Sequence, residues 1–331
     1  MKKLTVIMPV YNGELYIEEA INSLLNQTFS DFDLIVLNDN SADNTVAIIE
    51  KLKANDDRII LINKTINEGP AHLRNEGIDL AQTEYIALLD ADDIAMPTRF
   101  EKQIQLLDSQ PNLALCGTWF TIFGDKKEKI LRHKVDHDAL KIQFLHSCGL
   151  GNSTVMFRKS MIGDLRFEDQ YVPAEDYGLW SEFIAKHEFY NIPESLVRYR
   201  WHPGNISQTK EKQLRIAEVA IKKRQLERLE INSEDEESIF YVNAVSVNRN
   251  QSAKEIIKTI KASYILKEKN ERLKVYEQTL FCKHIDRVII RTIRNSKEYN
   301  SELYKYIKNE SGYFDKIPLI DKSILFLKCK L

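Results

Sequence analysis

Three carboxylates follow one another closely at the end of a short apolar segment. Asp90, Asp92 and Asp93 come directly after residues 85–89, a run that predicts a buried strand. Carboxylate oxygens are hard ligands that suit Mg²⁺ or Mn²⁺, so this pattern predicts a divalent cation at the strand end. The alternative is an acidic turn that caps a helix beginning near Pro97, because Asp is common in turns.

The first hundred residues alternate short β-branched runs with helical patterns. Strands are predicted at residues 4–10, 34–37, 58–62 and 85–89, and Asn12 is predicted to cap the helix after the first strand. Strands and helices that alternate at this spacing predict a mainly parallel sheet covered on both faces. Ligands of such sheets bind beyond the carboxyl ends of the strands, which is where the polar clusters of this sequence fall.

The end of the first strand carries no glycine-rich phosphate loop. Neither Gly-x-Gly-x-x-Gly nor Gly-x-x-x-x-Gly-Lys occurs there, since residues 10–14 read Val-Tyr-Asn-Gly-Glu. The dinucleotide-binding and P-loop interpretations therefore fail. A divalent cation held by Asp90 and Asp92 is the substitute that would neutralise a diphosphate at this edge.

The composition is that of an ordinary globular protein. The chain has 331 residues, 43% of them hydrophobic, with 11 Gly, 8 Pro and 4 Cys, which excludes a disordered, collagen-like or disulfide-stapled chain. The net charge of -2 is uneven: residues 208–331 contain 26 Lys+Arg and 18 Asp+Glu, or +8, which leaves -10 for residues 1–207. Because residues 208–311 contain neither Gly nor Pro, they are predicted to be helical.

Several short motifs come in order between residues 4 and 207. They are Thr-Val-Ile-Met-Pro-Val-Tyr-Asn at 5–12, Gln-Thr-Phe at 27–29, Asn-Asp-Asn-Ser at 38–41 with Asn-Thr at 44–45, Asn67 with Gly69, Arg-Asn at 74–75, Leu-Asp-Ala-Asp-Asp at 89–93, Ser-Thr-Val-Met-Phe-Arg at 153–158, Glu-Asp-Tyr-x-Leu-Trp at 175–180 and Tyr-Arg-x-His at 199–202. Together they closely resemble the family 2 inverting glycosyltransferases of bacterial surface-glycan type. The resemblance implies the GT-A fold, which is α/β with a Rossmann-like, mainly parallel sheet flanked by helices, here with a C-terminal helical extension.

The resemblance further implies a UDP-sugar donor. The residues that match the nucleotide-sugar-binding positions of the family are Pro9, Tyr11, Asp39, Arg74, Asp90, Ala91 and Asp92. Asp39 is expected to accept a hydrogen bond from the uracil base, against which Tyr11 stacks. Arg74 is expected to meet a phosphate or support Asp90, unless it forms only a surface ion pair. The sequence departs from the family at Asn38, where Asp is usual.

The metal ligands and the general base are also implied by the resemblance. Asp92 is expected to bind Mn²⁺ or Mg²⁺ directly, and the cation stabilises the departing diphosphate. Asp176 matches the base that takes the proton of the acceptor hydroxyl, while Glu175 is expected to orient the acceptor or its loop. His202 is a candidate further metal ligand. Two alternatives stay open, namely Asp176 as a helix N-cap and His202 as a structural histidine.

The chain is expected to divide after residue 207. Residues 1–207 would form the catalytic domain, with a nucleotide-sugar half at 1–110 and an acceptor half at 111–207. The basic helical region 208–331 has two open interpretations: contact of residues 317–331 with an anionic membrane surface, or a helical cap that packs on the catalytic domain or forms a homodimer. The expected acceptor is a growing surface polysaccharide or a lipid-linked oligosaccharide.

The expected location is the cytoplasm, with the inner face of the plasma membrane as the place of any peripheral contact. This expectation rests on an N-terminus without a signal-peptide pattern and on four widely spaced cysteines. No nucleic-acid partner is expected, because no binding module is recognised and the net charge is slightly negative.

Two other functions are weighed against the glycosyltransferase. A sugar nucleotidyltransferase also sets carboxylates beside a nucleotide-binding sheet, but it requires a glycine-rich loop with Arg or Lys that residues 10–14 lack. A catalytically silent scaffold protein with the same fold would be favoured by the loss of Asp92 or Asp176. Both carboxylates are present.

Overall fold

In the computed structural model, a nine-stranded sheet forms the centre of the first of two units. The structure describes residues 2–246 and 251–330. The first unit contains Met1–Leu140 with Cys148–Ala217, and the second contains Lys141–Ser147 with Glu218–Leu331. Each unit has its own hydrophobic core.

The sheet combines a parallel half with a mixed half. Its strands are β1 (Leu4–Val10), β2 (Phe32–Asn38), β3 (Ile59–Asn63), β4 (Tyr85–Leu88), β5 (Ile94–Ala95), β6 (Leu113–Gly124), β7 (Lys129–Leu131), β8 (Met156–Arg158) and β9 (Glu188–Trp201). Their order is β3-β2-β1-β4-β8-β6-β9-β5, with β7 paired to β6. The strands β3, β2, β1 and β4 are parallel, whereas β8 is antiparallel to both of its neighbours. The predicted α/β class and the parallel first half are confirmed.

Helices connect these strands and make up the C-terminal region. They are α1 (Ile17–Leu25), α2 (Thr45–Lys53), α3 (Pro70–Leu80), α4 (Arg99–Ser109), α5 (His137–Phe144), α6 (Lys159–Ile162), α7 (Glu175–Ile184), α8 (Ile206–Thr209), α9 (Glu211–Glu227), α10 (Glu236–Val245), α11 (Ala253–Leu273), α12 (Gln278–Arg294), α13 (Ser301–Asn309) and α14 (Leu319–Lys330). The helical C-terminal extension is thereby confirmed. Among the described residues no helix is both long and apolar enough to cross a bilayer.

The central strand β1 is apolar along most of its length because β2 and β4 flank it and helices cover both faces of the sheet. Its side chains from Leu4 to Met8 are almost fully buried, as is typical of a strand in a parallel sheet.

Farther along the chain, the buried Trp180 anchors α7. Its ring centroid lies 5.6 Å from that of Phe157 and 5.7 Å from that of Phe167. These ring contacts orient the first turn of α7.

The second unit is a helical bundle with its own apolar core. Buried side chains of α10, α11 and α12 meet in this core, and Leu303, Leu325 and Cys329 join them from the last two helices. A capping box begins α11: the backbone N–H of Glu255 donates to the Ser252 hydroxyl, and the Glu255 carboxylate accepts from the Ser252 N–H. The reciprocal bonds satisfy two backbone donors that the helix end would otherwise leave unpaired.

The prediction that Asn12 caps α1 is wrong. The N-cap of α1 is Tyr16, and Asn12 lies four residues earlier with φ at 51°. The Asn12 side chain instead accepts a hydrogen bond of 2.9 Å from the backbone N–H of Ala42. Asn tolerates this left-handed conformation better than most residues, and here it joins the loop after β1 to the loop after β2.

Gly77 marks a close approach of α3 to β1. A Cβ atom at Gly77 would lie 2.6 Å from Cγ2 of Ile7. We expect Gly77→Ala to lower the free energy of unfolding by about 1–3 kcal/mol, because overpacking outweighs the better helix propensity of Ala. Urea denaturation measures the change. In an Ile7→Ala background the same substitution should cost less, since the opposing methyl groups are gone; equal costs in both backgrounds would contradict the packing explanation.

Candidate active site

The carboxyl ends of β1, β2 and β4 lie side by side, and predicted site residues follow each of them. Pro9 and Tyr11 lie at the end of β1, Asp39 directly follows β2, and Asp90 comes two residues after β4. This edge is where a parallel sheet binds its ligands. Tyr11 is 56% exposed.

Asp39 is buried, and its hydrogen bonds join the end of β2 to the start of α3. Its Oδ1 accepts a hydrogen bond of 2.7 Å from the N–H of Glu68, and its Oδ2 accepts one of 2.9 Å from the N–H of Gly69. Gly69 is the N-cap of α3 and has φ at 86°, a conformation that favours glycine. Each carboxylate oxygen retains a second lone pair. A donor group that enters from the loop side can therefore still bind Asp39.

Asn38, where the sequence departs from the family pattern, joins β2 to its neighbours. Its Nδ2 donates to Oδ1 of Asn63 at 3.1 Å, and its Oδ1 accepts from the N–H of Ser41 at 3.3 Å. The side chain is buried, and both ends of its amide have partners within the protein. The departure at this position thus serves the packing of β2 against β3 and the turn that follows.

Arg74 bridges two carboxylates that are distant in the sequence. Its Nη2 donates to Oδ1 of Asp90 at 2.8 Å, and its Nη1 donates to Oε1 of Glu175 at 2.6 Å. The arginine is only 6% exposed, so the interpretation of a surface ion pair is wrong. Burial opposes its charge, but Asp90 and Glu175 outweigh burial and raise the pKa of Arg74 above its ordinary value.

Two atoms of this cluster are buried without a partner. Within the described residues, neither Nε of Arg74 nor Oε2 of Glu175 has a hydrogen-bond partner. Most buried polar atoms in proteins are hydrogen-bonded, so an unpaired donor and an unpaired acceptor in one ion-pair cluster are unusual.

Asp92 is joined to the turn that follows β9. Its Oδ2 lies 3.0 Å from Nε2 of His202 and accepts a hydrogen bond of 3.2 Å from Nδ2 of Asn205. The His202 ring also packs on Tyr16, with centroids 5.1 Å apart. Burial and the nearby Asp90 raise the pKa of Asp92, while His202 acts in the opposite direction. The Asp92 carboxylate and the imidazole of His202 are both groups that are able to ligate a cation.

The alternative that this acidic segment caps a helix near Pro97 is wrong. The helix α4 begins at Arg99 with Thr98 as its N-cap, and β5 lies between it and the carboxylates. The third carboxylate, Asp93, is fully buried and accepts a hydrogen bond of 2.8 Å from the backbone N–H of Arg200. Asp93 therefore ties the acidic loop to β9.

Asp176 is the second residue of α7. The N-cap is Ala174, so the interpretation of Asp176 as the cap is wrong. Its Oδ1 accepts a hydrogen bond of 2.6 Å from the N–H of Tyr177. Burial, together with the negative charge of Glu175, raises the pKa of Asp176 to about 7, although Arg74 opposes the shift. A carboxyl group with a pKa near neutrality is suited to exchanging protons at physiological pH.

Asn205 belongs to the site but was not predicted from the sequence. It is buried, and its Oδ1 accepts a hydrogen bond of 2.6 Å from the N–H of His202 while its Nδ2 reaches Asp92. It thus shapes the turn that presents His202. The signal that could have found it is its position three residues after His202 and next to a glycine, where Asn typically bonds back to the chain.

Comparisons with known proteins identify the family and the fold. The family model for glycosyl transferase family 2 matches residues 5–165. The Escherichia coli UDP-Glc:alpha-D-GlcNAc-diphosphoundecaprenol beta-1,3-glucosyltransferase WfgD is 30% identical over 216 residues, which are 64% of this chain and 82% of that protein. The match covers most of that relative's own length.

Two solved structures share the fold at low sequence identity. S. aureus TarS in complex with UDP-GlcNAc has a TM-score of 0.55 and 18% identity over 87% of this chain and 90% of that one. Mannosyltransferase PcManGT from Pyrobaculum calidifontis, in complex with GDP-Man and Mn²⁺, has a TM-score of 0.53 and 14% identity over 88% and 87%. The sheet flanked by helices, the ordered motifs and these matches lead to one conclusion: the chain belongs to glycosyl transferase family 2 and has the GT-A fold.

Proposed function

We propose that the protein is an inverting glycosyltransferase that moves a hexosyl or N-acetylhexosaminyl group from a UDP-sugar to a hydroxyl of a lipid-linked oligosaccharide or growing surface glycan. The observation that carries the proposal is the Arg74 cluster, in which a buried donor and a buried acceptor lack partners beside Asp176. The E. coli relative, named for transfer of glucose from UDP-Glc to a diphosphoundecaprenol-linked sugar, supports both substrate classes.

The donor would bind at residues 1–110, along the edge formed by β1, β2 and β4. Asp39 would accept from the uracil imide N–H through a remaining lone pair, with Pro9 and Tyr11 against the base. Asp90 and the backbone at Ala91 would hold the ribose and the start of the diphosphate. The solved complex of TarS with UDP-GlcNAc, which shares the fold, supports a nucleotide sugar of this class.

A divalent cation, Mn²⁺ or Mg²⁺, fits the pair formed by Asp92 and His202. Asp92 Oδ2 and His202 Nε2, which lie 3.0 Å apart, are the groups that would hold it. Among the described residues no cluster of three or more His, Cys, Asp or Glu side chains could hold a metal, so substrate phosphates and water would complete the shell. When bound, the cation stabilises the charge on the departing diphosphate.

The acceptor hydroxyl would be activated at the first turn of α7, in the half formed by residues 111–207. Glu175 Oε2, which lacks a partner, would accept a hydrogen bond from the acceptor and orient it. Asp176 would take the hydroxyl proton as the oxygen attacks the anomeric carbon. The new glycosidic C–O bond forms as the bond from the anomeric carbon to the diphosphate oxygen breaks, so UDP leaves and the configuration inverts.

The first experiment tests the donor without knowledge of the acceptor. Purified protein is incubated with a panel of nucleotide sugars and Mn²⁺, Mg²⁺ or EDTA, and slow hydrolysis to the free nucleotide is measured. We expect metal-dependent release of UDP from one UDP-sugar, because water replaces the missing acceptor. If no nucleotide sugar of the panel is hydrolysed and UDP does not bind, the proposal is overturned in favour of a catalytically inactive scaffold protein with this fold.

Asp176→Asn tests the general base. The substitution is expected to leave UDP affinity nearly unchanged and to reduce transfer by roughly 10² or more, the scale of general-base catalysis. In the unsubstituted protein, kcat/KM should fall as the pH drops below about 7, where Asp176 becomes protonated. Unchanged turnover in the variant would remove Asp176 from this role.

A stability measurement checks the same residue without any substrate. The pKa of Asp176 is raised from 3.8 to about 7 in the folded state, so the folded protein holds an extra proton between these values and loses stability as the pH rises through this window. Asp176→Asn should therefore be stabilising relative to the unsubstituted protein at pH ~8 and much less so at pH ~4. Asp57→Asn, at an exposed position between α2 and β3, is the matched control for the loss of one carboxylate.

Asp92→Asn tests the metal site with a readout other than activity. In the unsubstituted protein, Mn²⁺ should tighten UDP binding measured by calorimetry, and UDP should increase the amount of Mn²⁺ bound as seen by electron paramagnetic resonance. The variant should lose at least about tenfold to a hundredfold in Mn²⁺ affinity, since loss of a residue that merely supports a metal ligand already costs this much. Asp57→Asn should retain it. An affinity for UDP that does not depend on the metal in any of these proteins would contradict the assignment.

A further inference from the structure

The last helix of the second unit exposes an apolar stripe. Ile320, Ile324 and Leu327 lie on one face of α14, at intervals of four and three residues, and are 76%, 42% and 58% exposed. Leu319 and Phe326 flank them at 80% and 38% exposure. A contiguous group of large apolar side chains in water generally marks an interaction surface.

The helix is held so that this stripe faces outward. On its other side, Leu325 and Cys329 are buried in the core of the second unit. The Phe326 ring lies 5.5 Å from that of Tyr304 on α13, and Asp321 forms an ion pair with Arg294 of α12. The exposure of the stripe therefore follows from packing on the opposite face of a fixed helix.

The charges around the stripe favour a negatively charged surface. Residues 322–331 contain three Lys and no acidic residue. Lys328 is exposed and places its Nζ 4.6 Å from the ring centroid of Tyr299, whereas Lys322 lies on the packed side of α14 and forms an ion pair with Asp315 at 3.9 Å. Long side chains that pack their stems against apolar groups leave their ammonium groups at the boundary with solvent, where they meet anionic head groups.

We propose that α14 is an interfacial helix that lies flat on an anionic lipid bilayer, with Ile320, Ile324 and Leu327 inserted at the boundary between head groups and acyl chains. The apolar stripe supplies burial and the lysines supply attraction to the anionic lipid, which are the two components of peripheral membrane binding. A second copy of the chain is the less suitable occupant, because five apolar side chains on one helix fall short of the roughly 20–30 residues per partner of a stable interface. This inference goes beyond the proposed transfer reaction and does not depend on it.

Vesicle sedimentation with the full chain tests the proposal. The vesicles contain phosphatidylcholine with about 30% phosphatidylglycerol, or phosphatidylcholine alone. We expect binding to the anionic vesicles, weaker binding to the neutral ones, and a decrease as salt screens the lysines. The double variant Ile320→Glu with Leu327→Glu should bind about tenfold more weakly or worse, since two charges would enter the apolar boundary. Replacement of Lys328 and Lys330 by Gln should cost roughly fivefold per lysine on anionic vesicles only.

A matched control separates the position of the new charges from their number. Ile216 and Leu80 are exposed apolar residues on α9 and α3, so Ile216→Glu with Leu80→Glu adds the same charge elsewhere and should bind vesicles as the unsubstituted chain does. Circular dichroism checks that each variant is folded. Equal binding by the α14 variant and this control, or no binding of the unsubstituted chain, would overturn the proposal. A dimer in size-exclusion chromatography that only the α14 variant disrupts, with vesicle binding unchanged, would assign the stripe to self-association instead.

Discussion

The buried guanidinium of Arg74, held between Asp90 and Glu175, is the interaction on which the candidate site depends. Moving such an ion out of water costs several kcal/mol, and opposite charges with good hydrogen-bond geometry must offset that cost. The two ion pairs of 2.8 and 2.6 Å do so here. These ion pairs join three segments: α3, the loop after β4 and the first turn of α7. The stable position of each segment therefore depends on the correct placement of the other two. The loop after β4 and the first turn of α7 are therefore held by the same guanidinium group.

A second set of long-range contacts explains why the mixed half of the sheet matters for the site. β9 returns alongside β5 and β6, and the turn after it brings His202 and Asn205 to Asp92 across more than a hundred residues of sequence. Arg200 strengthens the same junction, because its Nε donates to the carbonyl oxygen of Asp92 at 2.8 Å. Without this return Asp92 and Asp93 would lose these contacts, while Asp90 would still be held by Arg74.

The parallel half of the fold and the edge of the site could be predicted from the sequence, because their signals are local. Alternating apolar runs and helical patterns locate β1 to β4, and the polar residues directly after them mark the edge. The partners of these residues could not be read in this way. An ion pair between Arg74 and Glu175, 101 positions apart, leaves no periodic pattern, and the turn contacts of Asn12 and Asn205 depend on loops that approach only in the folded chain. The sequence therefore locates the polar groups at the sheet edge better than it locates the groups that hold them in place.

The contact between Asp39 and the start of α3 has a consequence for how freely this sequence can vary. The carboxylate recognises two backbone N–H groups, so the side chain at position 68 is left open to substitution while the amide must stay in place. At position 69 the chain has φ at 86°, which keeps glycine there whatever the surrounding loop becomes. Side chains of the loop before α3 can therefore be substituted one at a time, while α3, which carries Arg74, still begins at the same residue.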